Sequence, residues 1–438
     1  IKSATLTATI ALAAPPAFAI TPDEVWADWQ TLIASYGATL ETGGETRSGE
    51  TLTVADVSVS SEMPEGAFDM DIGDITFTNV GDGAVRIEMS DEVPLRIEVA
   101  DESGETGMVS FTMTQPGATM TASGSAGALR YDFDYPVLGI GDFDMTGPDV
   151  PDDLPITFEM ALANMNGFIE LSGGTPRTYE SASTIETFAL DMEFSEIEGE
   201  TPGSGKIEMS ISDLSQTTVG TITNLESSVT LSEMATAGLR QLGTATHGPA
   251  TYAMAFDNPE GSFQMAAAAE RGTLEGGLDA SGLRYGGTTD NITMTISGSE
   301  IPLPQVTLGM AQMGGLFQMP VIPGEEPQDF ALVLRINGLE IDNMIWSIFD
   351  PRSALSREPA TLVIDLGGTA IVSEDFTSPE YAESDIEEAP GQLESLDINA
   401  FELSLAGAEL TGSGAFTFNN ETETPVPSGS ARLMLVGG

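Results

Sequence analysis

From Thr51 onward apolar side chains recur at every second position, and no other property of the chain restricts its fold as much. Val85, Ile87 and Met89 alternate with Arg86, Glu88 and Ser90, and the same rhythm carries Phe330, Leu332, Leu334 and Ile336, then Phe401, Leu403 and Leu405. A period of two places successive side chains on opposite faces of a strand, so each strand has one apolar face and one acidic or hydroxylated face. Gly- and Pro-rich breaks such as Gly81-Asp82-Gly83, Thr201-Pro202-Gly203 and Asn258-Pro259-Glu260-Gly261 separate these runs, as antiparallel meanders require. The alternation marks about twenty strands. The expected fold is mainly β: long twisted antiparallel sheets curved around an apolar core or groove. Short helices are expected near Leu225 to Leu242, Leu308 to Gln318 and Asn343 to Phe349.

The clearest helix lies ahead of the strands. Thr21 can cap it, Pro22 suits its first turn, Glu24 completes a capping box and Gly37 offers a left-handed stop. Val25, Trp26, Trp29, Leu32, Ile33 and Tyr36 recur at three-to-four spacing and form one apolar stripe. The spacing predicts an amphipathic helix packed across the sheet as a plug or lid. Its polar side carries Asp23, Glu24 and Asp28 where a membrane-surface helix would carry lysines. Before it, Lys2, the apolar run Ala4 to Ala14 and Ala17-Phe18-Ala19 have the layout of a secretory signal peptide. Residues 1–19 are therefore expected to be removed, leaving a periplasmic protein. No later stretch reaches the roughly eighteen consecutive apolar residues of a spanning helix.

Two segments hint at a repeated unit. Gly127-Ala128-Leu129-Arg130-Tyr131 resembles Ser281-Gly282-Leu283-Arg284-Tyr285, and each is followed by a Leu-Pro pair, Leu154-Pro155 or Leu303-Pro304, and a methionine-rich stretch ending in Phe168 or Phe317. A shorter match pairs Ile87-Glu88-Met89-Ser90 with Ile207-Glu208-Met209-Ser210. The expected division is an N-terminal β-rich half over residues 20–220 and a C-terminal half over 221–438, with the boundary between residues 215 and 250. Ser378 to Gly391 reads as an exposed acidic loop. Ala431 to Val436 reads as a strand in mid-course, so a closing segment is expected beyond this sequence.

Charge and residue supply narrow the function. Fourteen basic side chains against 68 acidic ones give −54 at pH 7. A surface this negative repels nucleic acid, because each contact adds repulsion where counterion release normally drives binding. The absence of cysteine removes disulfides, thiol nucleophiles and thiolate metal sites. A single histidine, His247, cannot form a His-rich zinc site, and Ser204-Gly205-Lys206, which would pair a serine nucleophile with a lysine base, reads as a turn. The expectation is a protein that is not an enzyme and has no cofactor. A carboxylate hydrolase is the least favoured reading, since 68 acids offer too many pairs to single one out. Calcium is the one ion for which the sequence offers candidate ligands. Asp69, Asp71 and Asp74 begin like a hand-type loop but lack its closing glutamate, and Asp142, Asp144, Asp149, Asp152 and Asp153 cluster in a Gly- and Pro-rich segment.

Methionine is the remaining clue, because flexible thioethers suit irregular cores and also surfaces that accept varied apolar ligands. An apolar groove is expected around Met160, Met165, Phe168, Met310, Met313, Phe317 and Met319.

The stretch Ile345-Trp346-Ser347-Ile348-Phe349-Asp350-Pro351, with Leu355, Arg357, Pro359-Ala360-Thr361-Leu362 and Asp365, resembles an exported alphaproteobacterial family known as domain of unknown function 2125. The leader running into the Trp26/Trp29 helix, and Phe401 to Phe418 with Ala406-Gly407-Ala408-Glu409-Leu410-Thr411-Gly412-Ser413-Gly414, fit the same resemblance. It implies a longer chain and carries over no catalytic residue. The closing pattern is also distantly similar to AsmA- and YdgA-like envelope proteins, whose long sheets form lipid-carrying grooves. The functional expectation is non-enzymatic binding of a lipid or other apolar envelope component, or of another envelope protein. The alternative is an acidic structural protein that holds a basic partner or divalent cations.

Overall fold

A computed structural model describes residues 19–63, 66–100, 106–147, 150, 155–174, 176–195, 203–223, 230–379, 381, 389–421 and 425–437. The expected leader therefore lies outside the described residues except for Ala19, as do Asp149, Asp152, Asp153, Leu154, Thr201 and Pro202.

The chain opens with α1 (Pro22–Ser35). Thr21 Oγ1 accepts from the Glu24 amide while Glu24 reaches back to the Thr21 amide, so the expected capping box is closed. Gly37, at φ 76°, supplies the left-handed stop. Short strands β1 (Thr39–Glu41) and β2 (Gly44–Ser48) follow, and both pair with β3 (Thr51–Met63). Next comes β4 (Gly66–Gly81), antiparallel to β3.

The next two passes across the sheet are each broken in the middle. β5 (Ala84–Glu88) and β6 (Glu92–Ala100) pair with the two ends of β4, and β8 (Thr119–Ser125) and β7 (Thr106–Thr114) pair with β5 and β6 in turn. Then β9 (Ala128–Thr146) spans both pieces, and β10 (Ile156–Gly173) pairs with β9. After β11 (Arg177–Ser195) the same pattern returns. β12 (Ser204–Ile222) pairs at its two ends with β13 (Arg240–His247) and β14 (Ala250–Asn258). These pair with β16 (Arg271–Asp279) and β15 (Gly261–Ala269), β17 (Gly282–Gly298) spans both, and β18 (Val306–Met319) pairs with β17.

The connectivity of β4–β10 is thus repeated by β12–β18, and the matching segments Leu129-Arg130-Tyr131 and Leu283-Arg284-Tyr285 open the equivalent strands β9 and β17. The shorter match does not survive: Ile87 lies in β5 and Ile207 in β12, which hold different places in the pattern. β19 (Gln328–Ile341), β20 (Ala360–Val372), β21 (Gly391–Leu405), β22 (Ala408–Asn419) and β23 (Val426–Gly437) extend the meander one after another. All 23 strands form one antiparallel sheet, and among the described residues no pairing joins β23 to β1 or β2. The expected boundary between residues 215 and 250 falls where β12 continues the sheet into β13 and β14.

Two features keep one face of this sheet apolar. The β4–β5 link is the two-residue turn Asp82-Gly83, both at positive φ as a tight hairpin requires. In mid-strand, Asp56, Asp142, Asn164, Asp213 and Asn291 take positive φ, a conformation that Asp and Asn tolerate better than other side chains. Asp56 and Asp142 sit at register shifts of the ladder, and at each of the five the apolar positions change parity: in β10, Ile156, Phe158, Met160 and Leu162 are even, while Met165, Ile169 and Leu171 beyond Asn164 are odd. A one-residue slip would expose the apolar set on the other side, so the parity change preserves the face.

Three expectations need correction. Leu308–Gln318 is strand β18 and not a helix: its Leu, Met, Ala and Gln have helical propensity, but the Met313, Gly315 and Phe317 alternation and pairing on both sides win. Of the helix expected over Leu225–Leu242, the described part holds only α2 (Leu231–Thr236), with β13 starting at Arg240. Ser204-Gly205-Lys206 is the first stretch of β12 and not a turn, and Lys206 Nζ bonds Glu193 at 2.9 Å and Glu208 at 3.3 Å. The third helix, α3 (Asn343–Phe349), lies where expected.

Candidate apolar binding face

The main core lies under α1. Val25 and Trp26 are fully enclosed against Leu52, Val54, Ile75, Phe77, Val85 and Ile87, and Trp26 and Trp29 both pack on the Phe77 ring. The Trp26 indole donates to Glu45 at 2.9 Å, so even its polar edge is satisfied. Toward β9–β11 the helix is held by polar groups. Arg177 Nη1 lies 2.8 Å from Asp28, the two side chains being only 11% and 14% exposed, and the Tyr131 hydroxyl donates to the same carboxylate at 2.9 Å. Arg177 Nε and Nη2 are enclosed and have no protein partner among the described residues. Burial first, then the charge and hydrogen bond of Asp28, push the Tyr131 phenol far above its ordinary value. A cavity of about 390 Å³ opens beside this contact, between Trp29, Leu32 and Tyr36 of the helix and Met120, Phe133, Ile169, Tyr179 and Ile222 of the sheet. That volume falls within the range of small-molecule sites.

Beyond α1 the same face continues, and no described helix covers most of it. Residues directly opposite in an antiparallel ladder share a face. Ile140, Met160, Leu190, Met209 and Tyr252 are successive partners, and the row continues through Ala267, Met294 and Leu308 to Ile341. It crosses nine strands, about 40 Å at the usual spacing between strands. A second row, Phe158, Met192, Ile207, Met254, Met265, Ile296 and Val306, runs beside it. A third crosses the end of the sheet through Met313, Ile336, Leu362, Leu403, Leu410 and Leu435. The opposite face carries Thr, Ser and paired charges, among them Arg271–Asp290 and Arg284–Glu275.

Six of the seven expected groove residues fall on the apolar face: Met160, Met165, Met310, Met313, Phe317 and Met319. Phe168 does not. Its register partners are Asp132 and Ala182, on the polar face, where the Arg130 guanidinium stacks 3.9 Å from its ring centroid. By simple alternation Met160 and Phe168 would share a face, but the parity change at Asn164 puts Met165 with Met160 and Phe168 on the other side. Alternation alone missed the rest of the long rows, because their members lie on strands far apart in sequence.

The chemical candidates are placed in structural roles. His247 ends β13 and its Nδ1 donates to the Gly248 carbonyl at 2.7 Å. Asp69, Asp71 and Asp74 are in strand β4 and not in a loop, and Asp142 and Asp144 are in β9. Among the described residues no group of three His, Cys, Asp or Glu side chains is placed to hold a metal ion. No described helix is long and apolar enough to cross a membrane.

No family model matches this chain. No curated protein and no solved structure matches it either.

Proposed function

We propose that this protein is an exported, non-enzymatic carrier or receptor that holds an apolar or amphiphilic molecule, such as a lipid, against the apolar face of its sheet. The supporting observation is the row from Ile140 to Ile341: nine strands present one apolar side chain each, in direct register, on a face that α1, α2 and α3 leave largely uncovered. Methionines supply three of the nine positions, and their flexible side chains accommodate varied apolar shapes. The burial of such a molecule would stabilise the complex by about 25 cal/mol for each Å² of apolar surface removed from water.

Native mass spectrometry of protein purified gently from its own envelope, with organic extraction of whatever accompanies it, tests the reading. A co-purifying amphiphile that is lost in Met209→Lys, in the middle of the row, is the expected result. An empty protein that also fails to bind a fluorescent fatty acid saturably would overturn it.

A further inference from the structure

The repeated connectivity makes one uncovered patch informative. Leu129 and Tyr131 open β9, Leu283 and Tyr285 open β17, and in each pair the second residue stands next along the same apolar face. Tyr131 is 5% exposed beneath α1, whereas Tyr285 is 57% exposed. The second block has a helix too, α2, but its six residues pack with Leu278, Leu283, Val321, Ile322 and Phe376 and leave Tyr285 uncovered. The next rows on this face are bare: Leu274, Tyr285, Met313, Phe317 and Leu332 are all exposed, and Tyr285, Phe317 and Leu332 are direct register partners.

We propose that this patch docks an amphipathic helix of a partner protein, one with an apolar stripe like that of α1 and a basic outer side. The proposal goes beyond ligand binding on the long rows and stands without it. The patch spans four strands, about 14 Å, and roughly 13 Å along them, which matches the width of one helix and two to three turns of its length. Gly287 and Gly315 face each other between Tyr285–Phe317 and Thr289–Met313 and add no side chain to the patch. The block that shares this connectivity shows what fits such a face, since Trp26 and Trp29 of α1 fill the first one. Charge then selects the outer side: a chain at −54 repels a second acidic helix like α1 and draws a basic one.

The probe is a synthetic peptide of residues 20–37 with Asp23, Glu24 and Asp28 replaced by lysine, titrated against the full chain by fluorescence anisotropy. Saturable binding is expected, weakened about tenfold or more by Phe317→Lys and by Tyr285→Lys, and at least as much by scrambling the peptide. Phe317→Ser, which removes the ring without adding charge, should weaken it as well. Absence of saturation up to about 100 μM would overturn the proposal. So would equal binding of the scrambled peptide, or unchanged affinity in all three variants of soluble, cooperatively melting protein. A fluorescent fatty acid that binds this patch, and is lost in the same variants while the peptide is ignored, would also overturn it in favour of a lipid site.

Discussion

The block β4–β10 and the block β12–β18 share their strand connectivity, yet one carries the protein's main core and the other an open apolar surface. The difference lies in what covers them. In the first, a fourteen-residue helix with a closed capping box brings Val25, Trp26 and Trp29 onto Phe77 and encloses Tyr131. In the second, the six-residue helix α2 between β12 and β13 is opened by the same Thr-x-x-Glu capping box, at Thr230 and Glu233, and ends too soon to reach Tyr285. An alternating strand therefore specifies an apolar face but not whether that face becomes core. A helix lying across it decides that, and where none does, the face is left for something else.

Removing the cover should show most plainly in Trp26→Ala. It deletes a 3% exposed indole and its bond to Glu45, and urea unfolding should show a loss of about 3 to 5 kcal/mol, whereas Trp29→Ala, only partly buried, should lose less. Next in size is Arg177→Ala, which strands the enclosed Asp28 carboxylate under the helix and should cost about 3 kcal/mol. Replacing both members, Arg177→Met with Asp28→Leu, should recover most of that loss, which separates the value of the ion pair from that of the packing. Tyr131→Phe should cost about 1 kcal/mol through its bond to Asp28. Because the Tyr131 phenol is raised in the folded state, its contribution is complete below the unfolded value of about 10 and declines as pH rises beyond it. The alkaline fall in melting temperature should accordingly be shallower in Tyr131→Phe.

In the second block the expected effects are smaller. Burial opposes ionisation of Asp375, but hydrogen bonds from the Thr377 and Thr230 hydroxyls and the Thr377 amide outweigh it and hold the carboxyl below its ordinary value. That contribution is present above the unfolded value of about 4 and is lost as pH falls through the lower folded one. Hydrogen exchange of α2 amides should therefore quicken below that point in the wild type and already be fast near neutral pH in Asp375→Asn. Tyr285→Ser should shift the unfolding midpoint by no more than about 0.5 kcal/mol, since the side chain supports no core. A loss as large as that for Tyr131 would erase the contrast between the blocks.

The strands and α1 were legible in the sequence because both signals are local: period two, period three to four, a capping box and Gly/Pro breaks. Strand β18 carries a helical signal in its Leu, Met, Ala and Gln, which obscures an alternation whose parity changes between Met310 and Met313. The candidate site was legible in part. Six of the seven expected side chains share the apolar face, but the parity change at Asn164 puts Phe168 on the other side, and no sequence period reveals where such a change will fall. The long rows were invisible because they exist only in register, between residues such as Met160 and Met294 that are distant along the chain. Of the repeat, the Leu-Arg-Tyr segment proved structural, since both arginines reach their register partners on the next strand, Glu170 and Gln318. The Ile-Glu-Met-Ser match reflects only the composition common to these strands.

Methionine oxidation followed by mass spectrometry tests the contrast most directly, because Met113 and Met120 pack against the covered core while Met313 lies on the open face. Oxidation should be run on protein purified gently and on the same protein after organic extraction of bound molecules. The account predicts slow oxidation of Met113 and Met120 in both samples, and a Met313 that reacts rapidly in the extracted protein. A Met313 that oxidises no faster than Met120 in the extracted protein would contradict the claim that the second block's apolar face is open and available.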